Sequence, residues 1–164
     1  SPHDYMYLAA TECVSVPRVN DLEEFQATVQ SMEAIGISEQ DKNYIFMLTA
    51  AVMTLGNIIF ESQGDHAQVS ALTRPYLQWV AYYLGVQEAA LESALVNRSI
   101  VARGESMSKP LTAEEAAYTR DALAKALYAK NFQQIVQCLN LSLATTERQY
   151  LTIGVLDIYG FESM

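Results

Sequence analysis

The residues whose types best suit chemistry stand late in the sequence, in Leu151-Thr152-Ile153-Gly154-Val155-Leu156-Asp157-Ile158-Tyr159-Gly160-Phe161-Glu162. A short apolar run rich in Ile, Val and Leu, bounded by polar residues, suits a strand buried on both faces. Burying an ionised Asp is costly, so Asp157 is tolerable at the edge of such a strand, where a site uses its charge. An acid so placed can sit behind Mg²⁺, and the amide of a nearby glycine, here Gly160, can face a terminal phosphate. The same residues also fit a core strand followed by a turn, with Asp157 and Gly160 as ordinary turn residues. Asp-x-x-Gly is short and common, and alone it favours the turn.

Little else in the chain would complete a nucleotide site. The phosphate-loop pattern G-x-x-x-x-G-K-[ST] does not occur in these residues. Gly104-Glu105-Ser106 followed by Lys109 imitates it, but lacks the second glycine, and Lys109 precedes Pro110 instead of opening a helix. His3 and His66 lie far from any nucleophile-like turn, and no zinc or EF-hand spacing exists. Cys13 and Cys138 are expected to be buried, reduced thiols. Asp121 and Lys125 have the i,i+4 spacing of an exposed helical ion pair. The stretch from Arg98 to Pro110 carries Arg98, Arg103, Glu105 and Lys109, and reads either as a solvated hairpin or as a partner-binding tip.

The elements that must position these residues are mostly helical. Residues 1–20 read as irregular or partly extended. Asp21 as N-cap with Glu24 three residues on predicts a helix to Ile35, with Leu22, Phe25, Val29 and Met32 on its apolar side and Gly36 as its stop. Ser38 opens a strongly apolar helix that Gly56-Asn57 ends. Ile58-Ile59-Phe60 reads as a brief strand and Glu61 to Ala67 as a loop. Arg74-Pro75 begins a third helix, ending at Gly85, and a fourth runs from Gln87 to about Asn97. Ser99–Gly104 and Met107–Leu111 read as a strand and its return. Thr112 with Glu115 is a capping box for the longest helix, to about Asn140, and a polar connection then leads to the strand above.

The fold class expected is therefore mainly α, with a short hairpin and one buried strand. A lone parallel-type strand cannot satisfy its backbone or cover both faces, so either its sheet lies elsewhere in a longer protein or this segment packs differently in isolation. The 164 residues are 51% hydrophobic and carry a formal charge of −9. That balance opposes non-specific nucleic-acid binding, which depends on Lys and Arg. No apolar run is long enough to span a bilayer, and no signal peptide is evident.

Taken together the segments resemble the motor domain of myosins, specifically the upper 50-kDa subdomain running into switch II. Asp157-Ile-Tyr-Gly-Phe-Glu162 is similar to the family's switch II, D-I-x-G-F-E. Leu55-Gly-Asn-Ile58 with Phe60 matches its L-G-N-I-x-F segment, and Asp121-Ala-Leu-Ala-Lys125 its long helix before that strand. Asp21-Leu-Glu-Glu-Phe25 and Leu84-Gly-Val86 fall in the expected order. Arg103-Gly-Glu105 and Ala116-Ala-Tyr118 suggest a class I-like, unconventional myosin.

The resemblance implies two parts: residues 1–149 as the helical subdomain, with an actin-facing loop at about 98–111, and 150–164 as core strand and switch II of an α/β P-loop NTPase fold. It implies ATP and Mg²⁺ as cofactors of the complete motor, with Asp157 near the Mg²⁺ and its waters, in the second shell. The Gly160 amide would contact the γ-phosphate, Glu162 would pair with a switch I arginine, and Phe161 would couple the switch to the relay helix. Arg98, Arg103, Glu105 and Lys109 would face the actin filament. Glu105, sixteen residues before Asp121, falls where the family carries an acid or a phosphorylatable residue; a one-residue gap would give that place to Ser106. The partners implied are actin and the rest of the motor: P-loop, switch I, relay and lower 50-kDa half. Light chains would bind only through a lever arm, no nucleic acid is expected, and the location implied is the cytoplasm, on the actin cytoskeleton. Asn131-Phe-Gln-Gln-Ile135 departs from the family in lacking a common tryptophan. The chain alone is expected to be inactive and to bind no nucleotide tightly. The competing reading is a helical protein-interaction module with no nucleotide role.

Overall fold

The computed structural model describes residues 1–11, 13–102 and 105–144, except the side chains of 101, 102, 105 and 106. The expected strand at 151–158, with Asp157, Gly160, Phe161 and Glu162, lies outside the described residues, as does Arg103. A 3-10 turn (Pro2–Asp4) and a short helix α1 (Met6–Ala9) precede α2 (Asp21–Ala34), α3 (Glu39–Leu55), α4 (Arg74–Leu84), α5 (Glu88–Val96) and α6 (Ala113–Leu143). Two antiparallel hairpins interrupt the helices: β1 (Phe60–Gln63) with β2 (His66–Val69), and β3 (Asn97–Ala102) with β4 (Glu105–Pro110). The mainly helical class expected from the sequence holds.

Caps explain where the helices start. Ser38 Oγ accepts from the Asp41 amide at 3.1 Å, and Thr112 and Glu115 exchange bonds of 3.2 and 2.9 Å as a full capping box. At α2 the cap is Asn20, not Asp21: the extended backbone of Asn20 lets its Oδ1 accept from Leu22 and Glu23. Asp21 instead joins Glu23 and Glu24 in the first turn, where acids favour the helix dipole. Gly85, at φ 65°, supplies the left-handed residue that ends α4.

The main core gathers Leu55, Ile58, Val69, Leu77, Val80, Leu91 and Leu95 from α3, β2, α4 and α5, with Ala124 of α6 against them. A second cluster joins Met32, Ile37 and Ile45 to Ile135 and Cys138. Only Met32 of the predicted apolar side of α2 is buried; Leu22 and Phe25 are exposed, though the Phe25 ring meets Phe46 at 5.3 Å. Asn131 is buried where the family pattern would have led one to look for packing differences. Its Nδ2 donates to the Ile45 carbonyl at 3.2 Å and to Thr49 Oγ1 at 3.1 Å, locking α6 to α3.

Further expectations are corrected. Residues 2–4 and 6–9 are helical, and the hairpin β1–β2 replaces the predicted loop at 61–67. That hairpin faces water on one side, so only Ala67 and Val69 of its residues are buried, and its polar strand reads as loop. Gly64, at φ 62°, makes its two-residue turn. Cys13 is exposed rather than buried. Among the described residues no helix is long and apolar enough to cross a membrane.

Candidate functional site

Of the residues expected to do chemistry, Arg98 and Lys109 are described in full. The β3–β4 register sets them directly opposite each other, followed by Ser99↔Ser108, Ile100↔Met107, Val101↔Ser106 and Ala102↔Glu105. Ile100 and Met107 are exposed, as are Arg98, Ser99, Ser108 and Lys109, so this is a ribbon with both faces in water. A lone two-stranded ribbon is marginal, and what holds this one is its base. The Leu111 amide donates to the Val96 carbonyl at 2.9 Å, and the Leu111 carbonyl accepts from Ala67 of β2 at 2.7 Å. Leu111 itself is buried against Ala67 and Ala116. Arg74 steers the incoming side by clamping α5 to α4, through bonds of 2.7 Å to both Glu88 and Glu92.

Like charges placed directly opposite in a sheet are destabilising. At the ribbon's base Arg98 and Lys109 are balanced by Glu115 of the capping box. The Glu115 carboxyl is held below the usual carboxylate range, first by the Thr112 amide it accepts from and further by the Arg98 and Lys109 cations. The ribbon therefore presents a cation pair, backed by an acid, on a stalk fixed to the body.

The second cluster surrounds Leu55-Gly-Asn-Ile58, the segment that ends α3. Arg120 of α6, almost buried, donates from Nη1 to the Ile58 carbonyl at 2.7 Å and the Gly56 carbonyl at 3.4 Å, satisfying acceptors that the helix end leaves open. Asp121 binds Arg120 at 2.8 Å and accepts a hydrogen bond from the Tyr7 hydroxyl. The expected Asp121–Lys125 ion pair is not among the contacts of the described residues, because Asp121 turns to these partners instead. Asn57 holds the N-terminal segment at both ends of its amide: Nδ2 donates to the Asp4 carbonyl at 2.6 Å, and Oδ1 accepts from the Met6 amide at 2.9 Å. Gly56 lies beneath the Tyr7 ring, where an added Cβ would meet ring carbons at 2.9 to 3.0 Å.

Partial burial and the neighbouring Asp121 carboxylate push the Tyr7 hydroxyl up to about 12. A group whose folded-state pKa is raised stabilises fully below its unfolded value and loses that contribution as pH rises through the folded one. Docking of residues 2–9 is therefore expected to be intact below pH 10 and to weaken between pH 10 and about 12. Amide exchange or limited proteolysis of the N-terminal segment across that window checks this, with Tyr7→Phe removing the step.

Glu105 takes part in the ladder through its backbone, opposite Ala102, while its side chain lies outside the described residues. The cluster around Gly56 was not anticipated as a functional feature; the L-G-N-I motif marked its place but not its partners. Among the described residues no group of His, Cys, Asp or Glu could hold a metal ion.

Comparison with known proteins gives these features a setting. The family model for the myosin head (motor domain) matches residues 1–164. The chain is 37% identical over 169 residues to unconventional myosin-Ic of Rattus norvegicus, covering 99% of the chain and 16% of that protein. It is 38% identical to myosin-1 of Neurospora crassa, over 98% of the chain and 13% of the relative. With myosin-14 of Arabidopsis thaliana it shares 39% identity, over 99% of the chain and 11% of the relative. The chain thus spans about one-sixth or less of these relatives' length. A family match over its whole length, with relatives above 30% identity, means that this chain belongs to the myosin motor-domain family.

Proposed function

We propose that this chain is part of an actin-based, ATP-driven myosin motor. In this reading residues 1–149 form the helical subdomain, the ribbon at about 98–111 is an actin-facing loop, and 150–164 supply the core strand and switch II. The observation that carries the reading is the myosin head match across residues 1–164, and the similarity of Asp157-Ile-Tyr-Gly-Phe-Glu162 to the family's D-I-x-G-F-E supports the switch II assignment. Asp157 would order water around Mg²⁺, the Gly160 amide would meet the γ-phosphate, and Glu162 would bind a switch I arginine. ATP and Mg²⁺ would belong to the complete motor, because these residues contain no phosphate-loop pattern and hold one nucleotide-facing element. The whole protein would work in the cytoplasm on actin filaments, with light chains on a lever arm beyond this stretch. The class I-like assignment rests on Arg103-Gly-Glu105 and Ala116-Ala-Tyr118, together with the similarity to myosin-Ic.

The ribbon supports an interaction role on physical grounds. Two exposed cations opposite each other bring no stability of their own, and an acidic partner surface would reward them. Arg103 and Glu105 would extend that contact toward the tip, with Glu105 or Ser106 providing the negative charge there; an acid makes that charge constitutive, whereas a serine would need a kinase. Arg98→Gln with Lys109→Gln in the full-length protein should raise the Kd for actin filaments about tenfold, roughly 1.4 kcal/mol. Its melting temperature should hardly change, since both side chains are exposed. Unaltered co-sedimentation with actin would remove the ribbon from the interface.

A further inference from the structure

Helix α6 is tied to the body by a row of three polar side chains. Arg120 donates to the Ile58 carbonyl at 2.7 Å, Asn131 to the Ile45 carbonyl at 3.2 Å, and the Ser142 hydroxyl to the Ile35 carbonyl. Each stands eleven residues from the next in sequence. That spacing is close to three full turns, so all three lie along one side of α6, in a row of about 33 Å. Their acceptors run the opposite way, from just past the end of α3, through its first half, to the C-cap of α2.

Packing alone would not fix where along α3 this helix sits. Leu123, Ala124 and Leu127 join the main core, and Ile135 and Cys138 the second cluster, but apolar attraction is non-directional. Hydrogen bonds weaken steeply outside a narrow range of distance and angle, and a slide by one residue moves every donor by about 1.5 Å. Asn131 is the strictest of the three. It is 5% exposed, and it is the only buried polar residue among the described residues of α6. Both hydrogens of its amide are used, on the Ile45 carbonyl and on Thr49 Oγ1, whose own proton goes to that same carbonyl at 2.8 Å. A buried amide stranded without partners is costly, which is how a single core Asn can enforce one register.

We propose that Arg120, Asn131 and Ser142 form a register lock that sets the axial position of α6, and that Asn131 is thereby a positioning residue for actin-activated ATP turnover. The inference rests on the motor reading above. Under that reading α6 stands between the two working parts of the chain. Its capping residue Thr112 follows the ribbon after Leu111, and a short connection, 144–150, leads in sequence to 151–162. An axial error in α6 would carry over to both, and about 1 Å of misplacement far from the chemistry can cost roughly a hundredfold in rate.

Asn131→Leu in the full-length protein keeps the side-chain volume and removes the donors. The expected result is a maximal actin-activated Mg²⁺-ATPase rate about three- to tenfold below wild type, with the KM for ATP and the melting temperature unchanged. A fall in rate matched by a fall in the folded fraction would make Asn131 a packing residue and overturn the proposal. Ser142→Ala removes one rung at an exposed position, and should lower the same rate about twofold. It decides the matter if Asn131→Leu does not fold, a wild-type rate there counting against the lock. A wild-type rate in folded Asn131→Leu would overturn the lock and leave the motor reading intact. Absence of actin-activated turnover in the unmodified protein would overturn the motor reading, and the lock with it.

Discussion

Gly56→Ala is expected to destabilise the protein by about 1–3 kcal/mol, in the range for forcing an extra carbon into a filled space. The cause is steric and not conformational. Gly56 has ordinary helical angles, φ −56° and ψ −25°, which alanine adopts more readily than glycine. The new Cβ, however, would stand 2.9 Å from the Tyr7 ring, closer than carbon atoms approach. Relief requires Tyr7 to swing away, which gives up its bond to Asp121 and loosens the segment that Asn57 anchors. The account can be isolated by a double-mutant cycle. In a Tyr7→Ala background the ring is gone, so the cost of Gly56→Ala should vanish or turn into a small gain. A cost that persists unchanged in that background would show that Gly56 is needed for a reason other than Tyr7.

That glycine also illustrates what the sequence could and could not reveal. Caps and periodicity are local, so α3, α4 and α6 are readable from Ser38, Arg74-Pro75 and the Thr112–Glu115 pair. The requirement for glycine at 56 is not local: it comes from a tyrosine placed there by the fold. Helix α1 fails to announce itself for the same reason, since its first amide is satisfied by Asn57 and not by a neighbour in sequence. Asp121 looked paired with Lys125 by spacing, but Arg120 and Tyr7 outcompete it because Arg120 is drawn in to cap α3. The strand content of 60–69 was hidden by the exposed residues Glu61, Ser62 and Gln63, which water tolerates as well in a strand as in a loop. In the ribbon, strand and return were legible, while the opposition of Arg98 and Lys109 depends on a register that composition does not specify.

Gly160→Ala is the second large effect, and it bears on function. If the Gly160 amide contacts the γ-phosphate as proposed, an added methyl group there would hinder that approach, in a reaction whose catalysis is mostly positioning and charge stabilisation. Loss of one well-placed donor costs roughly a hundredfold in turnover. Gly160→Ala is expected to act on turnover and Gly56→Ala on stability, so stability and activity should separate between the two variants.

The central claim, that Asp157-Ile-Tyr-Gly-Phe-Glu162 senses the nucleotide in a myosin motor, is tested most directly by the steady-state Mg²⁺-ATPase of the full-length protein with actin filaments, wild type against Gly160→Ala. The expected result is a fall in actin-activated turnover of about a hundredfold, with the melting temperature preserved. Turnover equal to wild type would contradict the claim and return Asp157 and Gly160 to the role of ordinary turn residues.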